Sequence, residues 1–109
     1  LITLNPEQRE AVPFLRAELA KGGEMTFNAP TGAGKTIVLL EAIRDIPRVA
    51  YISRNPTMHR QTGELAKQMG VTNLTHVDPR TGMIGYFEVV IACESVRDVK
   101  INHHCVVRL

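Results

Sequence analysis

Apolar residues recur along this chain in two rhythms, and the rhythms alternate. The first segment reads as a helix: Asn5 supplies an N-cap, Pro6 suits the first helical position, and Gln8 stands where a capping box needs its acceptor. Ala11, Val12, Leu15 and Leu19 follow at helical spacing. Pro13 falls inside that pattern and is expected to kink or restart the helix. After the turn signal Gly22-Gly23, a short strand is expected over Glu24–Asn28. The run Ile37-Val38-Leu39-Leu40-Glu41-Ala42-Ile43-Arg44 is apolar almost all round, as in a helix buried against a sheet, and Pro47 ends it. Val49–Ile52 reads as a second strand. Asn55-Pro56 starts a third helix with apolar positions Met58, Leu65, Ala66 and Met69, and Gly70 is its stop. Asn73–Val77 is a weaker strand and Asp78–Gly82 a turn. Phe87–Cys93 is the strongest strand pattern in the chain, and Cys105–Leu109 reads as one more.

Strands alternating with helices predict an α/β fold: a parallel sheet flanked by helices and joined by right-handed crossovers. In such sheets ligands sit beyond the carboxyl ends of the strands. Residues 29–36, Ser53-Arg54 and Glu94-Ser95 all fall at carboxyl ends, so they are expected along one rim.

The first of these segments carries the chemistry. Ala29-Pro30-Thr31-Gly32-Ala33-Gly34-Lys35-Thr36 sits between the first strand and an apolar helix, the context that gives a phosphate-binding loop its meaning. The full pattern begins with Gly, and here the first position is Ala29. Backbone N–H groups of Pro30-to-Thr36 loops of this kind form a concave ring around a phosphate, proline excepted, and the following helix aims its positive end at the same anion. Pro30, Thr31, Gly32, Ala33 and Gly34 would line the nucleotide, Lys35 would reach the β- and γ-phosphates, and the Thr36 hydroxyl would ligate Mg²⁺. A lysine opening an apolar helix has no packing role and stands at the wrong end of the helix dipole. The expected cofactors are therefore ATP and Mg²⁺. A bare Gly-rich turn joining strand to helix is the plainer alternative.

Hydrolysis needs more than a cradle: an acid on a neighbouring strand to hold Mg²⁺, and a group to orient water. No apolar strand in this chain ends in Asp. Val89–Cys93 runs into Glu94, and Asp78 is preceded by a polar stretch and followed by Pro79. Cys105–Leu109 has the apolar character of the missing strand, so the acidic residue is expected beyond Leu109.

Bulk properties narrow the class without naming it. The chain has 109 residues, 44% of them hydrophobic and 22% charged, which suits one globular domain or part of one. A net charge of +2 is too small to argue for nucleic acid by itself. Two cysteines, Cys93 and Cys105, make no disulfide framework and suit a reducing compartment. No stretch is apolar enough to cross a membrane and no signal peptide is visible, so an intracellular place, cytoplasmic or nuclear, is expected. His103, His104, Cys105 and Cys93 lack two separated ligand pairs of zinc-site spacing and read as a plain strand. Tyr51 and Tyr86 are too few for a base-stacking platform. Gln8 has two open readings: an amide that reads adenine, or only the capping-box partner of Asn5.

Several segments together resemble superfamily 2 helicases. NAPTGAGKT looks like their first motif, and LNPEQREAV resembles the segment in which a Gln reads adenine, here Gln8. YISRNPTMHRQ resembles the motif after the second strand, whose polar residues grip a sugar-phosphate backbone. That role would fall to Ser53, Arg54 and Gln61. VVIACESV resembles a later strand that ends in a polar contact to the tracked strand, here Ser95, and HCVVRL resembles the strand that leads to the family's acidic pair. The loop and YISR are similar to iron–sulfur repair helicases, and the spacing from SRNPT to VVIACESV to viral origin-binding helicases. The resemblance implies that residues 1–109 are the N-terminal portion of a RecA-like P-loop ATPase domain, an incomplete domain that ends before the acidic pair. It further implies single-stranded nucleic acid as partner, DNA rather than RNA, and a second RecA-like domain supplying an arginine. A small P-loop phosphotransferase of the nucleotide-kinase type and a non-hydrolysing nucleotide-binding switch are the alternatives.

Overall fold

A computed structural model describes residues 2–27, 32–81, 85–93 and 96–109, without the side chains of Gly32, Ala33 and Thr81. In chain order the elements are α1 (Pro6–Lys21), β1 (Gly23–Thr26), α2 (Gly32–Ala42), β2 (Val49–Ile52), α3 (Pro56–Met69), β3 (Leu74–Val77), a short 3₁₀ turn (Pro79–Thr81), β4 (Tyr86–Ala92) and β5 (Asn102–Arg108). The five strands form one sheet in the order β1-β5-β4-β2-β3, and every pairing is parallel.

Local chemistry sets the helix ends. Asn5 and Gln8 close a reciprocal capping box: Gln8 N–H donates to Asn5 Oδ1 at 2.8 Å and Asn5 N–H to Gln8 Oε1 at 2.9 Å. Asn55 caps α3 by accepting from Thr57 N–H at 2.9 Å, and Gly70 ends that helix in the left-handed region. Asn73 finishes α2 from outside the helix. Its side-chain amide nitrogen lies within hydrogen-bond distance of the carbonyls of Ile43, Arg44 and Ile46 in the turn that follows α2, and its two hydrogens are shared among them.

Direction of travel decides which face each connection covers. From β1 to β2 and from β2 to β3 the chain moves the same way across the sheet, so right-handed crossovers put α2 and α3 on one face. From β3 to β4 and from β4 to β5 it moves back, which sends those connections to the other face. Packing follows this rule. One core cluster joins α1, α2 and α3 (Leu15, Leu39, Ile43, Ala66) to Val49, Tyr51, Ile91 and Val107. The second gathers Ala50, Ile52, Val90 and Val106 under Val96 and Ile101 of the β4–β5 connection. β2 is buried at all four positions, as a strand covered on both faces must be. Each fully buried Leu or Ile in these clusters contributes about 1.5–3 kcal/mol.

Four details depart from the expected pattern. Pro13 does not interrupt α1, which is one helix of 16 residues. Its ring sits on the exposed side, and the cost is the helical partner of the Arg9 carbonyl, a loss offset by Val12, Leu15 and Leu19 in the core. β1 begins at Gly23, one residue earlier than expected, because Gly22 and Gly23 both adopt positive φ and turn the chain directly from helix into ladder; the expected end at Asn28 lies outside the described residues. β5 starts at Asn102, three residues early, since its exposed first half (Asn102, His103, His104) carries no apolar signal. Within the expected 78–82 turn, Pro79–Thr81 is a 3₁₀ turn, held by Asp78 Oδ1 accepting from Arg80 N–H at 2.9 Å.

Candidate functional site

The carboxyl ends of the strands finish in one row. Thr26 stands opposite Arg108, Arg108 opposite Ala92, Ala92 opposite Ile52, and Ile52 opposite Val77. The ladder then continues by one residue on each side: Phe27 N–H donates to Arg108 O at 2.9 Å, Leu109 N–H to Ala92 O at 3.1 Å, and Cys93 N–H to Ile52 O at 3.1 Å. Everything that leaves β1, β2, β4 and β5 therefore leaves along a single line. The chain after β2 passes to one face, and Val96 and Ile101 of the β4–β5 connection pack on the other.

α2 begins at this rim. Gly32, Ala33, Gly34, Lys35 and Thr36 form its opening turns, and that first turn contains no acidic residue. Its first N–H groups have no intrahelical acceptor and face the rim. Lys35 and Thr36 are half-buried, and among the described residues no carboxylate pairs with the Lys35 ammonium. Pro30 and Thr31, expected to line the nucleotide, and Ser95, expected to meet nucleic acid, lie outside the described residues. Gln8 has its amide oxygen in the capping box, where it accepts from Asn5 N–H. A cleft of about 400 Å³ lies away from this opening turn, between Leu4 and Arg9 on one side and Glu41, in the last turn of α2, on the other.

Ser53 was expected to face a nucleic-acid strand, and the structure places it otherwise. It is 1% exposed, and its hydroxyl accepts from Asn55 N–H at 3.0 Å. Its work is to shape the turn that starts α3. Arg54, next to it, is exposed at the rim, as is Gln61 on α3. Sequence reasoning missed the residues that hold this turn. His59 Nε2 lies 2.6 Å from the Ser53 carbonyl, and His59 Nδ1 lies 3.0 Å from His76 Nδ1. Tyr51 contacts both rings edge-on, with centroids 5.6 Å away in each case. The only signal in sequence was a His at the second turn of α3 and another on an edge strand, which no periodicity connects.

Beneath the pair lies a buried polar group. Cys93 donates its thiol to Tyr51 Oη at 3.1 Å, and burial is the main force raising the Tyr51 phenol, assisted by Cys93 and opposed by Thr62. Cys105 is fully buried; desolvation raises its thiol, with the charge of Glu18 adding to it. Among the described residues no group of three His, Cys, Asp or Glu side chains could hold a metal.

A second arginine secures the rim. Arg108 pairs with Glu24 of β1 and donates to the carbonyls of Val96 (2.7 Å) and Arg97 (2.6 Å). One side chain thus ties the β4–β5 connection to β5 and to the edge strand. No family model, no curated protein and no solved structure matches this chain. What the coordinates define is an α/β unit with a five-stranded, all-parallel sheet and helices packed on it. Among the described residues no helix is long and apolar enough to cross a membrane.

Proposed function

We propose that this chain is the ATP-binding part of a RecA-like domain from a superfamily 2 helicase or translocase. One observation carries the reading: the opening turn of α2 bears Lys35 and Thr36 and no acid, and it stands at the rim where the strands end. A cation at the positive end of a helix is unfavourable alone and favourable beside a polyanion. Lys35 would neutralise charge on the terminal phosphates, and Gly34 would let the backbone come close. A triphosphate would bring Mg²⁺ with it, since this ion keeps most of its shell as phosphate oxygen and water. The Thr36 hydroxyl would supply a protein contact to such an ion. Arg54, exposed at the carboxyl end of β2, and Gln61, exposed on α3, would contact the phosphates of a single strand, which would make binding sequence-tolerant and salt-sensitive. A second domain closing over the nucleotide would couple the two sites.

The test is filter binding of single-stranded DNA to the 109-residue chain with and without ATP, paired with direct titration of MgATP. Nucleotide binding together with ATP-dependent DNA retention supports the proposal. Nucleotide binding without any DNA retention would favour the switch or phosphotransferase readings, and no nucleotide binding would overturn all three.

A further inference from the structure

Two imidazoles face each other nitrogen to nitrogen where β2, β3 and α3 converge. Tyr51 and His76 are register partners on adjacent strands, and His59 leans over both from α3. The protons in this arrangement can be counted. A carbonyl only accepts, so the 2.6 Å contact to Ser53 O requires a proton on His59 Nε2. The 3.0 Å contact between the two Nδ1 atoms then needs one proton, from either ring. With no net charge, His76 donates through Nδ1–H and His59 accepts. With one added proton on His76 Nε2 the bridge survives, and its proton can sit on either ring. With two added protons both Nδ1 atoms carry hydrogen, and N–H faces N–H at a distance that cannot be kept.

We propose that His59 and His76 are a proton-sharing pair that holds the Ser53–Asn55 turn closed, and that a second proton opens it. His59 acts here as a positioning residue, since it grips the Ser53 carbonyl while the Ser53 hydroxyl receives Asn55 N–H and Asn55 in turn caps α3. Arg54 is the residue this turn presents, so the closed and open forms place its guanidinium differently. The proposal concerns the turn itself and does not depend on what Arg54 binds.

Other groups around the pair set its balance. Tyr51 is buried with a raised phenol and stays neutral, joined on its far side to Cys93 and Thr62. Asp78, just after β3, interacts electrostatically with His59, and Arg80 engages both of its oxygens. Gly63 of α3 leaves room for the His76 ring, whose Nε2 would lie 3.4 Å from a Cβ there. Desolvation and the neighbouring His59 both lower His76, so added charge on the pair is disfavoured.

The experiment is an NMR titration of the ¹⁵N-labelled chain from about pH 8 to about pH 4.5, following imidazole nitrogens and backbone amides together. Two interacting histidines should give two macroscopic steps separated by more than about one pH unit, each sensed by both rings. The amides of Arg54, Asn55 and Thr57 should move with the lower step. In His76→Asn the side-chain amide can donate to or accept from His59 Nδ1 and cannot titrate. That variant should keep the turn closed and lose the lower step. If the wild-type rings titrate independently near the ordinary value of about 6.5, with the turn amides unmoved, the proposal fails. It fails equally if a folded His76→Asn protein keeps the lower step. Should that variant not fold, the wild-type titration alone decides.

Discussion

The Phe27 N–H donates to the Arg108 carbonyl at 2.9 Å, so the segment that follows β1 departs beside the end of β5. This bond extends the β1–β5 ladder one residue past the Thr26–Arg108 pair.

Lys35→Ala should lower MgATP affinity by about 100-fold, the loss of one to two charge-assisted hydrogen bonds at about 1.5–3 kcal/mol each. The lysine has no carboxylate partner among the described residues, so the variant should unfold at the same urea concentration as the parent. Calorimetric titration and urea melts check both halves. Unchanged ATP affinity would remove the nucleotide reading.

Arg54→Ala should weaken single-stranded DNA binding at every sequence and flatten its salt dependence by about 0.7 in the log–log slope, the loss of one phosphate contact. Ser53→Ala should act differently. It removes the acceptor for Asn55 N–H in a buried place and should cost about 1–3 kcal/mol of stability. Anisotropy at several salt concentrations, with melts alongside, separates a contact from a support.

ATP turnover by the 109-residue chain should be slow even with nucleic acid present. Among the described residues the carboxylate at the carboxyl end of β5 is that of Glu24, and Arg108 engages it. Steady-state phosphate release measures this, and brisk turnover would place the acid elsewhere.

Gly22 and Gly63 should respond oppositely to alanine. Gly22 has φ +78°, and a Cβ there would stand 2.7 Å from His104 Cε1, so Gly22→Ala should destabilise by about 1–3 kcal/mol. Gly63 lies inside α3, where a Cβ meets only the His76 ring at ordinary contact distance. Gly63→Ala should stabilise by about 0.5–1 kcal/mol through helix propensity. Urea unfolding of the two variants gives the signs.

Stability should fall with acid in two windows. His76 is depressed in the folded chain, so the unfolded chain takes that proton first. Stability is full above the ordinary histidine value of about 6.5 and declines as pH drops from there toward the lowered folded value. Asp78 is held down to about 2 by the Arg80 side chain and N–H, against an ordinary 3.8, so its contribution is present above 3.8 and is lost toward 2. Denaturant melts across pH should show both declines. A profile flat between about pH 7 and pH 5 would exclude the first.

Much of the architecture was legible in the order of residues. Asn5-Pro6-x-Gln8 and Asn55-Pro56 announce helix starts through bonds made within three residues, and Gly70 announces a stop through its own φ. The apolar runs of α2, β2 and β4 state their burial directly, because covered elements have no polar side to show. These are local facts, and local chemistry decides them. The phosphate-loop pattern belongs to the same class, as a string of residue types whose spacing alone suggests an anion.

Tertiary structure decided what sits beside what. Only the parallel register sets Arg108 next to Phe27, and only the crossing of α3 over β2 and β3 brings His59 to His76 across 17 positions. The burial of Ser53 and the continuity of α1 through Pro13 were likewise outside local reach. In each case packing contributes more than the local preference it overrides, and packing depends on partners far away along the chain.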